Sequence, residues 1–98
     1  MLRLIAMLGI GLAIPTAMAQ STALMSEVPF VGCKSDGQTG ELPPPVDGPR
    51  RVAVPPELAG RLAFYRAENG PGVLGPRGWA CLGTFGSNGA ALFVAPGV

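Results

Sequence analysis

The sequence has no histidine, and only 13% of its residues are charged. Without an imidazole, the chain has no base for a Ser-His or Cys-His nucleophile and no histidine ligand for zinc. Its two cysteines, Cys33 and Cys81, are too far apart for a Cys-x-x-Cys redox motif, and two thiolates do not make a four-thiolate zinc cage. The sequence therefore predicts no catalytic residue, no metal site and no cofactor.

Residues 1–19 have the pattern of a cleavable secretory signal peptide. Arg3 provides the positive start, an uninterrupted apolar run follows at 4–14, and Pro15 precedes a small-x-small sequence at 17–19. As a helix, the apolar run spans about 17 Å at 1.5 Å per residue, well short of the roughly 30 Å of membrane hydrocarbon. We therefore expect cleavage and a periplasmic or secreted product, with an uncleaved membrane anchor as the alternative.

The exported part of the chain is electrically neutral. Residues 20–98 carry six basic and six acidic side chains, and Arg50 and Arg51 are its only adjacent basic pair. Binding to nucleic acid or to anionic lipid requires a basic patch. We expect neither as a partner, and no membrane span after cleavage. The expected partner is an extracytoplasmic protein or ligand that the sequence does not identify.

The two cysteines predict a disulfide, because an even number of cysteines in a small exported chain favours pairing over free thiols. The alternative is a lipid on Cys33. The preceding Val31 and Gly32 resemble the small-residue sequence before the lipidated cysteine of bacterial lipoproteins, and this reading requires a free Cys81. Phe30 stands where those sequences usually have an aliphatic residue, which favours the disulfide.

One amphipathic helix is predicted in the middle of the chain, over residues 56–68. Leu58, Leu62 and Tyr65 recur at helical spacing and would form one apolar face. The prolines before this segment suit a helix start, and the Gly-Pro pair after it supplies a stop.

The rest of the chain predicts extended structure and loop. A flexible lead-in is expected over 20–27, an extended edge segment over 28–33 and a proline-rich loop over 34–55. Near the C-terminus, alternating apolar residues on either side of an Asn-Gly pair predict a β-hairpin.

The predicted fold class for residues 28–98 is therefore a small single α+β domain with one helix, a C-terminal hairpin and one disulfide. Its core is thin, and the open hairpin edge invites another strand. We expect an incomplete domain that further chain or a partner would complete.

Four side chains are candidates for a functional surface. Arg77 and Trp79 place a cation beside an aromatic ring where a loop meets a strand, which suits surface recognition. Asp36 and Glu41 flank a turn and offer carboxylate oxygens, although far fewer than the roughly six to eight that calcium takes. Solvated turn residues are the simpler interpretation of this acidic pair.

Two stretches, VPFVGCKSDGQTG at 28–40 and PRGWACLGTFGSNG at 76–89, resemble a group of small exported bacterial proteins of uncharacterised function. The resemblance covers most of the chain after residue 20. It implies that Cys33 pairs with Cys81 and that such proteins usually continue beyond the hairpin. It brings no substrate, cofactor or catalytic residue.

The function expected from the sequence is a non-enzymatic binding or structural module of the bacterial envelope or extracellular space. One alternative is the N-terminal part of an extracytoplasmic enzyme that uses carboxylates such as Asp36 and Glu41. The other is an envelope protein anchored by a lipid on Cys33.

Overall fold

A computed structural model of the chain describes residues 24–97. The predicted signal peptide, residues 20–23 of the lead-in and Val98 lie outside the described residues. Within the described range the chain forms eight strands and one short helix, α1 (Pro56–Ala59), which lies between the fourth and fifth strands. The strands are β1 (Ser26–Val28), β2 (Phe30–Cys33), β3 (Ser35–Gly37), β4 (Arg50–Val52), β5 (Leu62–Ala67), β6 (Val73–Pro76), β7 (Ala80–Gly86) and β8 (Gly89–Ala95).

The strands form three small sheets. Sheet I pairs β1 antiparallel with β4. In sheet II, β5 is the central strand, parallel to β2 and antiparallel to β6. In sheet III, β7 is the central strand, parallel to β3 and antiparallel to β8.

One extended segment, residues 26–37, links all three sheets. It is interrupted at Pro29 and at Lys34, where the chain passes from one sheet to the next. The Pro29 carbonyl accepts a hydrogen bond from the Phe64 N–H at 2.9 Å, and the Lys34 carbonyl accepts one from the Gly83 N–H at 2.8 Å. These bonds keep the backbone paired across both transitions, so the three sheets are joined by continuous backbone pairing.

The amphipathic helix predicted over 56–68 is wrong, and so is the α+β class that depends on it. Only Pro56–Ala59 is helical, and Leu62–Ala67 forms β5. The described part of the chain is therefore predominantly β-sheet.

The physical reason for this error is an ambiguous period. Ala63, Tyr65 and Ala67 are buried, while the residues between them are only partly buried, so the segment alternates with a period of two. The helix that this spacing predicted ends after four residues, at Ala59. From Leu62 onward, β5 pairs on both edges, and this pairing satisfies its backbone as fully as a helix would.

The predicted C-terminal hairpin is present. Strands β7 and β8 pair from Ala80 opposite Ala95 to Gly86 opposite Gly89. Gly89 follows the turn with a φ of 124°, a conformation that side-chain-bearing residues rarely adopt.

The core lies between the inner faces of sheets II and III. Its buried members are Cys33, Ala63, Tyr65 and Ala67, and four partly buried residues pack against them, Val31, Cys81, Leu92 and Val94. The sheets approach closely where β7 carries a glycine, since a Cβ on Gly83 would lie 2.6 Å from the Ala67 Cβ. The hairpin is thereby held against the strand that the sequence pattern had predicted as helix.

The proline-rich segment packs against sheet II over part of its length. A Cβ on Gly32 would overlap the Pro45 carbonyl oxygen, so the segment passes directly over β2. Farther along, the Arg50 guanidinium lies over the Phe64 ring at 4.3 Å from its centroid. The outer face of sheet II is therefore partly covered by the chain itself.

Candidate functional site

The disulfide expected from the sequence joins Cys33 of β2 to Cys81 of β7. The two Cα atoms are 5.4 Å apart, and 48 positions separate the cysteines in sequence. Cys33 is buried in the core, so the crosslink ties sheet II to sheet III from the inside. The lipid-anchor alternative requires a free Cys81, and here Cys81 is bonded to Cys33.

Tyr65 fixes the turn that leads into the hairpin. Its side chain is fully buried, with 0% of its surface exposed. The hydroxyl donates a hydrogen bond to the Pro76 carbonyl and accepts one from the Trp79 N–H at 3.2 Å. Gly75 leaves room for the ring, because a Cβ there would lie 3.2 Å from it. One side chain therefore satisfies backbone groups on both sides of the turn.

Arg77, predicted as a recognition residue, binds the protein's own backbone. Its Nε donates to the Leu62 carbonyl at 2.9 Å, and its Nη2 donates to the Ala59 carbonyl at 2.8 Å. These carbonyls belong to the end of α1 and the start of β5, where a helix end leaves acceptors without intrahelical partners. The guanidinium thus holds the α1–β5 connection. Trp79 lies just beyond the same turn and is partly exposed.

Replacing Arg77 tests this structural role. Arg77→Met keeps much of the stem but removes both side-chain hydrogen bonds, and we expect the free energy of unfolding to fall by about 1–2 kcal/mol, at the low end because the site is partly solvated. Arg51→Met is the matched control, because Arg51 is exposed, and it should change stability by less than about 0.5 kcal/mol. Denaturant unfolding monitored by circular dichroism measures both. Equal losses of stability in the two variants would show that the two Arg77 side-chain hydrogen bonds do not stabilise the fold.

The carboxylates proposed for chemistry lie in solvent with separate contacts. Asp36 lies in β3 and accepts a hydrogen bond from the neighbouring Gly37 N–H at 2.8 Å. Glu41 lies 3.9 Å from the Lys34 ammonium, and both side chains are largely exposed. Within residues 24–97, no three His, Cys, Asp or Glu side chains cluster closely enough to hold a metal ion.

The sequence analysis did not single out the most conspicuous surface, which lies on the outward side of the hairpin. Leu82 of β7 and Phe93 of β8 are directly opposite each other, with 45% and 59% of their surfaces exposed. Their neighbours on this side are also exposed, and none is charged: Ala80, Thr84, Ala91 and Ala95. We call these six residues the hairpin face. The sequence did contain a signal for this surface, since residues 78–98 include no charged side chain.

The hairpin also has an open edge. Along the described chain, β8 pairs with β7 on one side, and no second strand pairs with it on the other. The opposite edge of sheet III is blunted, because Ser35 of β3 exchanges backbone hydrogen bonds with Leu42 at 3.2 and 2.8 Å. The open hairpin edge that the sequence predicted is therefore the free edge of β8.

Two depressions border β8. One, of about 130 Å³, lies between the start of β6 and β8 and is lined by Asn69, Gly70, Pro71, Val73 and residues 90–92. The other is a shallow, open depression at the hairpin tip, lined by Gln38 and residues 84–91. Neither encloses a group that points to catalysis. The chemistry available at this end of the molecule is apolar contact and backbone hydrogen bonding.

Comparison of the chain with protein-family models, with curated proteins and with solved structures gave no match. Among the helices within residues 24–97, none is long and apolar enough to cross a membrane.

Proposed function

We propose that this protein is an exported, non-enzymatic module that binds a protein partner through its C-terminal hairpin. The single observation that carries the binding role is the hairpin face, where Leu82 and Phe93 stand exposed on a surface without charge. The signal-peptide pattern and the internal disulfide support the extracytoplasmic location, since such crosslinks persist in oxidising compartments.

The exposed pair on the hairpin face contributes little to the fold. The core lies on the other side of the hairpin, and Phe93 leaves more than half of its surface in water. Fully burying an exposed phenylalanine contributes roughly 1.5–3 kcal/mol, and covering the part of Phe93 that is still exposed contributes about half of that or more. Aromatic residues in a desolvated patch commonly dominate binding between proteins. A partner that covers this face would therefore gain energy that the isolated domain does not use.

The enzyme alternative has less support within the described residues. Asp36 and Glu41 are exposed, and each already has a local contact in the chain. Catalytic carboxylates usually need burial or a close charged neighbour to perturb their protonation. The binding role is therefore the one that the geometry favours.

Export is tested by the intact mass of the unreduced protein made from its full reading frame in an exporting bacterial host. We expect the recovered chain to begin at Gln20 and to be two hydrogens lighter than its fully reduced mass. Fractionation should recover it from the periplasm or the medium. A chain that retains residues 1–19 in the cytoplasm would contradict export, and additional mass on Cys33 would support the lipid-anchored alternative.

The binding role is tested by placing a charge on the uncharged hairpin face. Phe93→Lys removes the aromatic side chain of this face and places a charge there. We expect it to reduce capture of partner proteins from the periplasm or medium by about tenfold or more, the equivalent of 1.4 kcal/mol. Capture is measured by pull-down with quantitative mass spectrometry.

The matched control is Val46→Lys. Val46 is an apolar residue of the proline-rich segment with 96% of its surface exposed, so this variant adds the same charge away from the hairpin. It should retain wild-type capture. If both variants bind as the wild type does, the hairpin face is not the binding surface. Matching unfolding midpoints establish that both variants are folded.

A further inference from the structure

We infer that the partner at the open edge of β8 is a second copy of this chain. In this arrangement the β8 strands of two copies pair antiparallel across a two-fold axis and join two copies of sheet III into one six-stranded sheet. The inference rests on the proposed function, because it assigns an occupant to the free edge of the hairpin whose face is proposed to bind a partner.

The first argument is that β8 is built as an open edge. It has seven residues, in the order Gly-Ala-Ala-Leu-Phe-Val-Ala, with no proline and no charge. At about 3.4 Å per residue, it offers roughly 24 Å of backbone to a neighbouring strand. Edge strands that avoid pairing are usually short or carry charges, prolines or bulges. By comparison, β6 has four residues and ends in Pro76.

The second argument is charge. Residues 78–98 carry no charged side chain, so the hairpin offers no ionic match to a charged partner strand. A charged strand docking there would lose part of its hydration without compensation. A second copy presents an equally neutral strand, and its pairing involves no like-charge repulsion along the contact.

The third argument is the order of large and small side chains along β8. When two antiparallel copies are centred on Leu92, Phe93 faces Ala91 of the other copy and Val94 faces Ala90. Leu92 meets its own copy on the two-fold axis, and on either side of it a larger side chain meets an alanine, which lets the backbones approach to pairing distance. The two-fold axis repeats every such contact, as an isologous interface requires.

The same geometry limits the assembly to two copies. Each β8 has one free edge, which the pairing uses. The opposite edge of sheet III already carries the Ser35–Leu42 bridge. An isologous contact of this kind closes on itself and does not propagate into a fibre. Directly opposed residues of paired strands point to the same side, so the joined sheet would present both copies of Leu82 and Phe93 on one continuous face.

The test is sedimentation velocity of the oxidised, signal-cleaved protein at increasing concentration, up to about 1 mM. We expect a reversible shift from monomer to dimer with no larger species. Ala91→Lys should weaken dimerisation by about tenfold or more, because it places a charge against Phe93 of the other copy and brings two like charges close together.

Val46→Lys is the control. Val46 is 96% exposed and belongs to the proline-rich segment, so this variant adds the same charge away from β8 and away from the hairpin face. It should leave dimerisation within about twofold of wild type. Denaturant unfolding checks that both variants fold, and the concentration dependence of the wild type needs no variant at all.

Three outcomes would overturn the inference: a wild-type monomer at every concentration, equal weakening by Ala91→Lys and Val46→Lys, or growth into ever larger assemblies. The proposed function is judged separately. If the wild type stays monomeric while Phe93→Lys still abolishes capture of another protein, the self-pairing fails and the hairpin remains a binding surface. If neither association depends on the hairpin, both proposals fail.

Discussion

Removal of the disulfide by combining Cys33→Ala with Cys81→Ala is expected to lower the free energy of unfolding by about 4 kcal/mol. In the chain-entropy model, this is the stabilisation from a crosslink whose ends are 48 positions apart. Small domains are stable by only about 5–15 kcal/mol in total. The variant should therefore be largely or wholly unfolded at moderate temperature, which far-UV circular dichroism and denaturant titration measure.

The matching control leaves the sequence unchanged. Reduction of the wild-type protein with a thiol should produce nearly the same loss, because it breaks the same bond while keeping both side chains in place. The reduced protein should recover its stability when it is reoxidised. An ordinary substitution changes the free energy of unfolding by about 1 kcal/mol. If the free energy of unfolding of the double variant lies within that range of the oxidised wild type, the crosslink does not hold sheets II and III together.

Tyr65→Ala is expected to cost about 3–5 kcal/mol, as truncation of a large aromatic core residue does. The ring is fully buried between the sheets, against Gly75, and its loss would leave a cavity at the centre of a thin core. The unfolding midpoint measures the loss. The chain has one tryptophan, and Trp79 donates its backbone N–H to the Tyr65 hydroxyl, so its fluorescence should also report loosening of this turn.

Tyr65→Phe separates the hydroxyl from the ring. It keeps the packing but leaves the Pro76 carbonyl and the Trp79 N–H without this partner, at an expected cost of about 1–3 kcal/mol. The loss should therefore be clearly smaller than for Tyr65→Ala. A Phe variant as unstable as the Ala variant would mean that the hydrogen bonds, and not the packed ring, account for the stability at this position.

The elements that the sequence predicted correctly are those set by local chemistry. The Asn88-Gly89 pair allows the tight reversal at the hairpin, where Gly89 adopts a positive φ. The two cysteines, in a small chain that is expected to be exported, predicted a disulfide, and the structure contains it. Neither prediction required knowledge of which sheet the strands would join.

The elements that failed depended on distant partners. Residues 62–67 have apolar side chains at positions compatible with a helix or a strand, and only the presence of β2 on one side and β6 on the other selects the strand. Arg77 has the composition of a surface recognition residue, yet the fold brings two backbone carbonyls within its reach. A local pattern contains no information about such contacts.

For the candidate binding surface too, one property follows from the sequence and another only from the fold. Its neutrality is a property of the sequence alone, because no charged residue occurs after Arg77. That Leu82 and Phe93 are exposed together is a property of the fold, since alternation along a strand assigns residues to two faces without saying which face is covered. Cys81 and Gly83 face the core, and the side chains on the other face of the hairpin are exposed to solvent.

By itself, then, the amino-acid sequence determined the expectation of export, the single crosslink, the hairpin turn and the neutral C-terminal region, because each depends on residues adjacent in the chain or on composition. Tertiary structure alone decided that residues 62–67 are a central strand, that Arg77 serves the backbone, and that β8 is left with an open edge. These features arise from pairing between segments far apart in sequence, where the hydrogen-bonding needs of the backbone outweigh local propensity.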